Sequence, residues 1–223
     1  MLWIHGGGLV IGTPAIDDAA NRLFAEKLGI TVVAPAYRLA PEHPYPAALD
    51  DLWDALQRVK QLGQPIVVAG ASAGGGLAAA LCLRARERGD ASIRFQLLIY
   101  PMLDDRTTQQ SFDERNMRLW NNAANRFGWE SYLGKRTELP AEAVPARAAS
   151  LAGLPPAWIG VGTNDLFHDE DVAYAGRLRA AGVNTELEVV PGAFHGFDIF
   201  TGAPVVKAFR AQQLRALDQV FSH

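Results

Sequence analysis

Short apolar runs alternate with longer amphipathic stretches along the whole chain. Predicted strands are Leu2–Ile4, Thr31–Ala36, Pro65–Ala69, Phe95–Tyr100, Ala157–Val161 and Thr185–Val190. Predicted helices are Asp17–Leu28, Pro46–Leu62, Ala73–Arg88, Asp169–Ala181 and Ala203–Phe221. Asp169-Glu170-Asp171, just ahead of Val172, reads as an acidic helix start that complements the helix dipole, and Gly89 and Gly182 read as helix stops. The strand runs are too continuously apolar for a sheet with one wet face. A mostly parallel α/β sheet, covered by helices on both faces, is therefore expected. Two places break the rhythm. Residues Met102–Leu154 hold no predicted strand and carry Phe112, Trp120, Phe127, Trp129 and Tyr132, which reads as a helical insertion with an aromatic cluster. At the start, the first strand has barely begun before Gly6 ends it.

Composition narrows the function classes. The 223 residues fit one α/β domain spanning residues 1–223, interrupted by the insertion at about 102–154. A net charge of −3 and the lack of a basic cluster argue against nucleic acid as a partner. No apolar stretch approaches the ~20 residues that span a bilayer, and no charged leader precedes an apolar run. The single cysteine, Cys82, cannot form an internal disulfide and reads as a buried inert thiol. A reducing, cytoplasmic setting is the expectation.

Candidate chemistry begins at Gly70-Ala71-Ser72-Ala73-Gly74, directly after the run Pro65–Ala69 and ahead of an Ala-rich helix. Strand, G-x-S-x-G turn and helix come in the order that the nucleophile elbow of an α/β-hydrolase requires. The serine there must hold a strained backbone, tolerable only among small neighbours. An activated serine needs a base, a carboxylate to orient it and donors for an oxyanion. Of the five histidines, His43 lies among prolines before the elbow, His168 precedes the acidic helix start, and His223 ends the chain. His195 stands in Pro191-Gly192-Ala193-Phe194-His195-Gly196-Phe197, the loop after the last strand, and is the expected base. Asp165 leaves the preceding strand in Gly160-Val161-Gly162-Thr163-Asn164-Asp165 and is the expected carboxylate. Asp169 is the alternative, one helical turn on, while Asp104 and Asp105 follow an earlier strand. Ala73 N–H, at a helix start, and the amides of Gly7 and Gly8 in His5-Gly6-Gly7-Gly8 are the expected oxyanion donors, with His5 anchoring that loop. Neither glycine cluster has the spacing of a phosphate cradle, and His168 with Asp169 and Glu170 matches no zinc motif. No cofactor or metal is expected.

Taken together, His5–Gly8, Tyr37-Arg38-Leu39-Ala40-Pro41-Glu42-His43, Gly70–Gly74, Asp165 with Asp169, and His195-Gly196-Phe197 resemble the hormone-sensitive lipase family of esterases. The resemblance runs through nearly the whole chain. It implies an α/β-hydrolase fold, a Ser72–Asp165–His195 triad, an oxyanion hole of Gly7, Gly8 and Ala73, and cofactor-free hydrolysis of short-chain carboxylic esters. It also implies that Met102–Leu154 forms part of a cap over the acyl site. The same machinery would serve amide hydrolysis, such as an aryl-formamidase activity, and the scaffold also carries non-catalytic binders. The chain departs from the family at Ala71, where members usually have Asp or Thr. It also begins close to the HGGG loop, where similar proteins have a substantial preceding segment. A truncated form is the expectation from that comparison, with an exposed sheet edge that favours association between copies.

Overall fold

The computed structural model describes residues 1–110, 118–136 and 138–221. Five strands, β1 (Leu2–Ile4), β2 (Ile66–Ala71), β3 (Ile93–Ile99), β4 (Ala157–Gly162) and β5 (Thr185–Val190), form one sheet in the order β1-β2-β3-β4-β5. Every pairing is parallel, with Ile4 opposite Gly70, Ala71 opposite Ile99, Ile99 opposite Gly160 and Gly162 opposite Val190. All five strands therefore end at one edge of the sheet, and the loops that leave them gather there.

Helices cover both faces, as the continuous apolar runs predict. On one face lie α2 (Ala47–Lys60), α3 (Ala73–Glu87) and α5 (His168–Ala180), packed on Leu2, Ile4, Val68, Leu98 and Ile159. On the other lie α1 (Asp18–Leu28) and α6 (Pro204–Phe221), packed on Trp3, Val67, Ala69, Leu97 and Trp158. Successive strand residues point to opposite faces, so a strand between two helical layers needs apolar side chains at every position. Cys82 is fully enclosed in α3, where burial pushes its thiol pKa up.

Most predicted elements match the observed ones within two residues. The exception is Thr31–Ala36, which forms only an isolated parallel bridge between Val33 and Leu2. Trp3 N–H donates to Val33 O (2.8 Å) and Val33 N–H donates to Met1 O (2.9 Å), and pairing stops there. Pro35 has no N–H for a ladder, and the stretch is half-exposed at the sheet margin.

Of the aromatic residues in the insertion, Trp129 and Tyr132 stay together, edge-on at 6.1 Å, while Trp120 and Phe127 lie elsewhere. Trp129 and Tyr132, on α4 (Asn122–Leu133), are buried in the main core, where Tyr132 meets Tyr45 edge-on at 5.8 Å. Phe127 is exposed and Trp120 lies by the strand ends; Phe112 lies outside the described residues.

The approach of α3 to β1 is close. A Cβ on Gly74 would sit 2.0 Å from Ile4 O and 2.5 Å from His5 O, so only glycine lets the helix start there. Gly176 in α5 has nothing within 4 Å of its Cβ position. Gly74→Ala is expected to lower the unfolding free energy by about 3 kcal/mol. Gly176→Ala should raise it by up to about 1 kcal/mol through helix propensity. Urea denaturation of the two variants checks the opposite signs.

Candidate active site

The loop after each strand brings one component to the common edge. At the tip of β2, Ser72 has φ 58° and ψ −125°, held by its N–H donating to Ile99 O (2.9 Å) and its carbonyl accepting from Gly76 and Met102 N–H. The strand before and the helix after it leave in nearly opposite senses, so the side chain is thrust out at the turn. Ser72 Oγ lies 2.9 Å from His195 Nε2, across 123 residues of sequence. His195 Nδ1 lies 2.9 and 3.1 Å from the two oxygens of Asp165. A carboxylate only accepts, so Nδ1 carries the proton and Nε2 is left to accept from the serine hydroxyl. Asp165 is itself fixed by Phe167 N–H donating to Oδ1 (3.0 Å), and its side chain is fully buried.

Aromatic rings hold the imidazole in place. Phe167 meets it edge-on at 5.1 Å, Tyr100 does so at 4.7 Å, and Trp120 lies tilted at 6.5 Å. Sequence reading missed Tyr100 and Phe167. The signal for Tyr100 is a polar aromatic ending an apolar strand beside the one that bears the serine.

The His5–Gly8 loop leaves β1 beside the elbow. A Cβ on Gly6 would stand 3.0 Å from Ala71 O and 3.4 Å from Ser72 Cβ. Gly7 and Gly8 have φ of 118° and 58°, and Gly7 O accepts from Val10 and Ile11 N–H, closing the loop on itself. Among the described residues, no backbone carbonyl accepts from the amides of Gly7, Gly8 or Ala73. His5 is buried, with Nδ1 2.7 Å from Gly6 O and its ring stacked on Tyr37 at 4.2 Å. Burial lowers its pKa, so the ring stays neutral and Nδ1–H donates to Gly6 O. Tyr37 returns a bond from its hydroxyl to His5 O (2.8 Å), and Ala40 N–H donates to Leu9 O (3.0 Å). Trp120 roofs the loop: a Cβ on Gly8 would lie 2.0 Å from its Cη2.

The other candidates stand apart from Ser72. Asp169 is exposed and pairs with His168 Nδ1 (2.8 Å); Asp104 pairs with Arg106 and Asp105 with Arg147. His43 is exposed, and His223 lies outside the described residues. No group of three or more His, Cys, Asp or Glu is placed to hold a metal ion among the described residues. A cavity of about 630 Å³ opens on the far side of Tyr100, between α1, α6 and the sheet. Its walls include Trp3, Asp17, Asp198 and Arg210 but neither Ser72 nor His195.

Residues 1–199 match the family described as having the alpha/beta hydrolase fold. The chain belongs to this family. This α/β-hydrolase is 38% identical over 212 residues to Esterase LipI of Mycobacterium tuberculosis (strain ATCC 25618 / H37Rv), covering 91% of the chain and 66% of that protein. It is 34% identical over 210 residues to an ethyl acetate hydrolase of Pseudomonas putida, covering 88% of the chain and 65% of that protein. The chain thus spans just under two thirds of these relatives. Among solved structures, a bacterial heroin esterase superposes with a TM-score of 0.93 at 38% identity, covering 99% of this chain and 74% of the other. A hormone-sensitive lipase from a metagenome library gives 0.89 at 29% identity, covering 98% and 77%. The hydrolase is of the hormone-sensitive-lipase-like kind.

The start of α5 is more than an acidic cap. Asp169 faces water, but Glu170 and Asp171 are buried. Glu170 Oε1 accepts from Leu103 N–H (2.7 Å) and Asp104 N–H (3.1 Å), and Thr107 Oγ1 donates to Oε2. It thereby ties the chain after β3 to α5. Burial outweighs these donors and lifts its pKa to about 8, with nearby Asp104 adding to the rise. Asp171 is also raised, by burial and then by Glu170 and Asp165. Because the folded pKa of Glu170 exceeds its unfolded value, its contribution to stability is full below about pH 4.5 and is lost as pH rises through about 8. Glu170→Gln keeps an acceptor for the two amides and a donor for Thr107 without the ionisation. Relative to the parent, the variant is expected to gain stability as pH rises between those limits, on the order of 1 kcal/mol per pH unit. Urea midpoints at pH 5 and pH 8.5 for both proteins provide the check.

Proposed function

We propose that this chain is a serine carboxylesterase that cleaves short-chain acyl esters through an acyl-enzyme. The observation that carries it is the hydrogen-bonded line from Ser72 Oγ through His195 to Asp165, beside two glycine amides at positive φ. His195 Nε2 takes the serine proton as Oγ attacks the ester carbonyl. Asp165 holds the imidazole in the right tautomer and stabilises the imidazolium. The amides of Gly7, Gly8 and Ala73 bind the oxyanion, and the start of α3 adds its positive end to that charge. His195 then protonates the leaving alcohol, and water deacylates the enzyme by the same route. Relatives named as an esterase and as an ethyl acetate hydrolase support this substrate class.

In this proposal residues 1–223 are one domain, residues 102–154 contribute to a cap, and Trp120 limits the acyl site. No helix among the described residues is long and apolar enough to cross a membrane. A cytoplasmic location and association between copies belong to the same proposal, supported by the buried single thiol and the half-covered stretch beside β1.

Ser72→Ala is expected to lose roughly a millionfold in turnover of p-nitrophenyl butyrate and all labelling by a fluorophosphonate probe. Near-parental turnover in that variant would sink the mechanism. Trp120→Ala removes the roof over Gly8. It should raise the ratio of kcat/KM for p-nitrophenyl octanoate over butyrate about tenfold, the order expected when a pocket gains room for a few methylenes. An acyl-length series on parent and variant measures it.

A further inference from the structure

The loop that bears His195 is tethered on both sides, and the two tethers differ in kind. On the side entering from β5, Asn164 N–H donates to Ala193 O (2.9 Å) and Gly192 N–H donates to Thr163 Oγ1 (2.8 Å). On the side leaving it, the 3-10 turn Phe197–Ile199 carries Asp198 inward to 4% exposure. Asp198 Oδ1 accepts from the Tyr100 hydroxyl at 2.5 Å, and Oδ2 pairs with Arg210 Nη2 of α6 at 2.6 Å. The second tether is thus built from side chains of three separate elements.

We propose that Tyr100 is a positioning residue for His195, acting through the line Tyr100–Asp198–Arg210; this rests on the esterase reading of Ser72 and His195. Tyr100 engages the His195 loop at two points at once. Its ring stands edge-on against His195, with centroids 4.7 Å apart at 65°, while its hydroxyl fixes Asp198 three residues further along the same loop. It reaches that place with φ 35°, a conformation that side-chain-bearing residues rarely adopt, and its N–H is pinned to Gly160 O at 2.7 Å. Phenylalanine would fill the same space, so the hydroxyl is the part that core packing leaves unexplained. Burial and then the Asp198 charge raise the phenol far above its ordinary range, so it stays a donor. Arg210 in turn lies over the Phe24 ring at 5.9 Å, which anchors the far end of the line on α1.

Displacing a catalytic group by about 1 Å costs on the order of a hundredfold in rate. Tyr100→Phe should therefore lower kcat for p-nitrophenyl butyrate about 10- to 100-fold with KM within about threefold. The second-order rate of fluorophosphonate labelling should fall in parallel. In proton NMR, the His195 Nδ1–H resonance bonded to Asp165 should be sharp in the parent and broadened in Tyr100→Phe. Arg210→Lys keeps a cation facing Asp198 and should retain most of the rate, whereas Arg210→Met should not; this pair tests the line if Tyr100→Phe does not fold. A Tyr100→Phe protein that melts lower, yet labels at the parental rate with an unaltered Nδ1–H resonance, overturns the proposal. Ser72→Ala, run alongside, separates the two failures. If it still turns over ester, the esterase reading fails, and the resonance alone decides whether Tyr100 positions His195.

Discussion

At Ser72 the backbone occupies φ 58° and ψ −125°, a conformation that costs a non-glycine residue of order 1–3 kcal/mol. Everything around the elbow answers that cost. The turn is sustained by Ser72 N–H on Ile99 O and by two donors on the Ser72 carbonyl. It also needs the neighbouring backbones to come very near. Gly70, Gly74 and Gly76 would each drive a Cβ to within 2.0–2.4 Å of a carbonyl oxygen, from Gly74, Ile4 and Met102 respectively. The small residues about the serine are thus contact surfaces between α3, β1 and the segment after β3. One strained residue sets how tightly three elements meet.

Much of this was legible because the signals are local. Glycine clusters, a serine between strand and helix, and a histidine in a glycine-flanked loop are all visible in short windows. Parallel order then brings windows far apart in sequence to one edge. The strand at Thr31–Ala36 misled because apolar content does not reveal that Pro35 interrupts a ladder. Burial of Glu170 and Asp171 was also hidden. Three acidic residues at a helix start look alike until packing decides which face meets water, and here only Asp169 does. Tyr100 and Phe167 were unreadable for a related reason: their importance lies in touching His195, 95 and 28 residues away along the chain.

The site has two electrical regimes. Around the serine, the charged partner of His195 is fully enclosed yet satisfied by a backbone amide and the imidazole. Behind it, the carboxyls of Glu170 and Asp171 are held toward their neutral forms by burial. A neutral Asp171 spares Asp165 a second buried charge close by, while the hydrogen bonds of Glu170 pin the chain after β3. Arg84 shows the opposite solution: its guanidinium is enclosed between Asp50 (2.6 Å) and Glu142 (2.7 Å), and stays charged.

Ser72 and His195 are separated by 123 residues, and Asp165 is 30 residues from His195. Asp165 meets His195 only when β4 and β5 are paired, and Ser72 joins them only when β2 is aligned in the same sheet. Contacts of such long sequence range form slowly, because chain entropy must be surrendered before they stabilise anything. A chain in which these strands are unaligned holds a serine with no base beside it. In the proposed enzyme, nucleophilicity would belong to the aligned sheet rather than to the serine itself, and would be withheld from forms in which β2, β4 and β5 are not yet side by side.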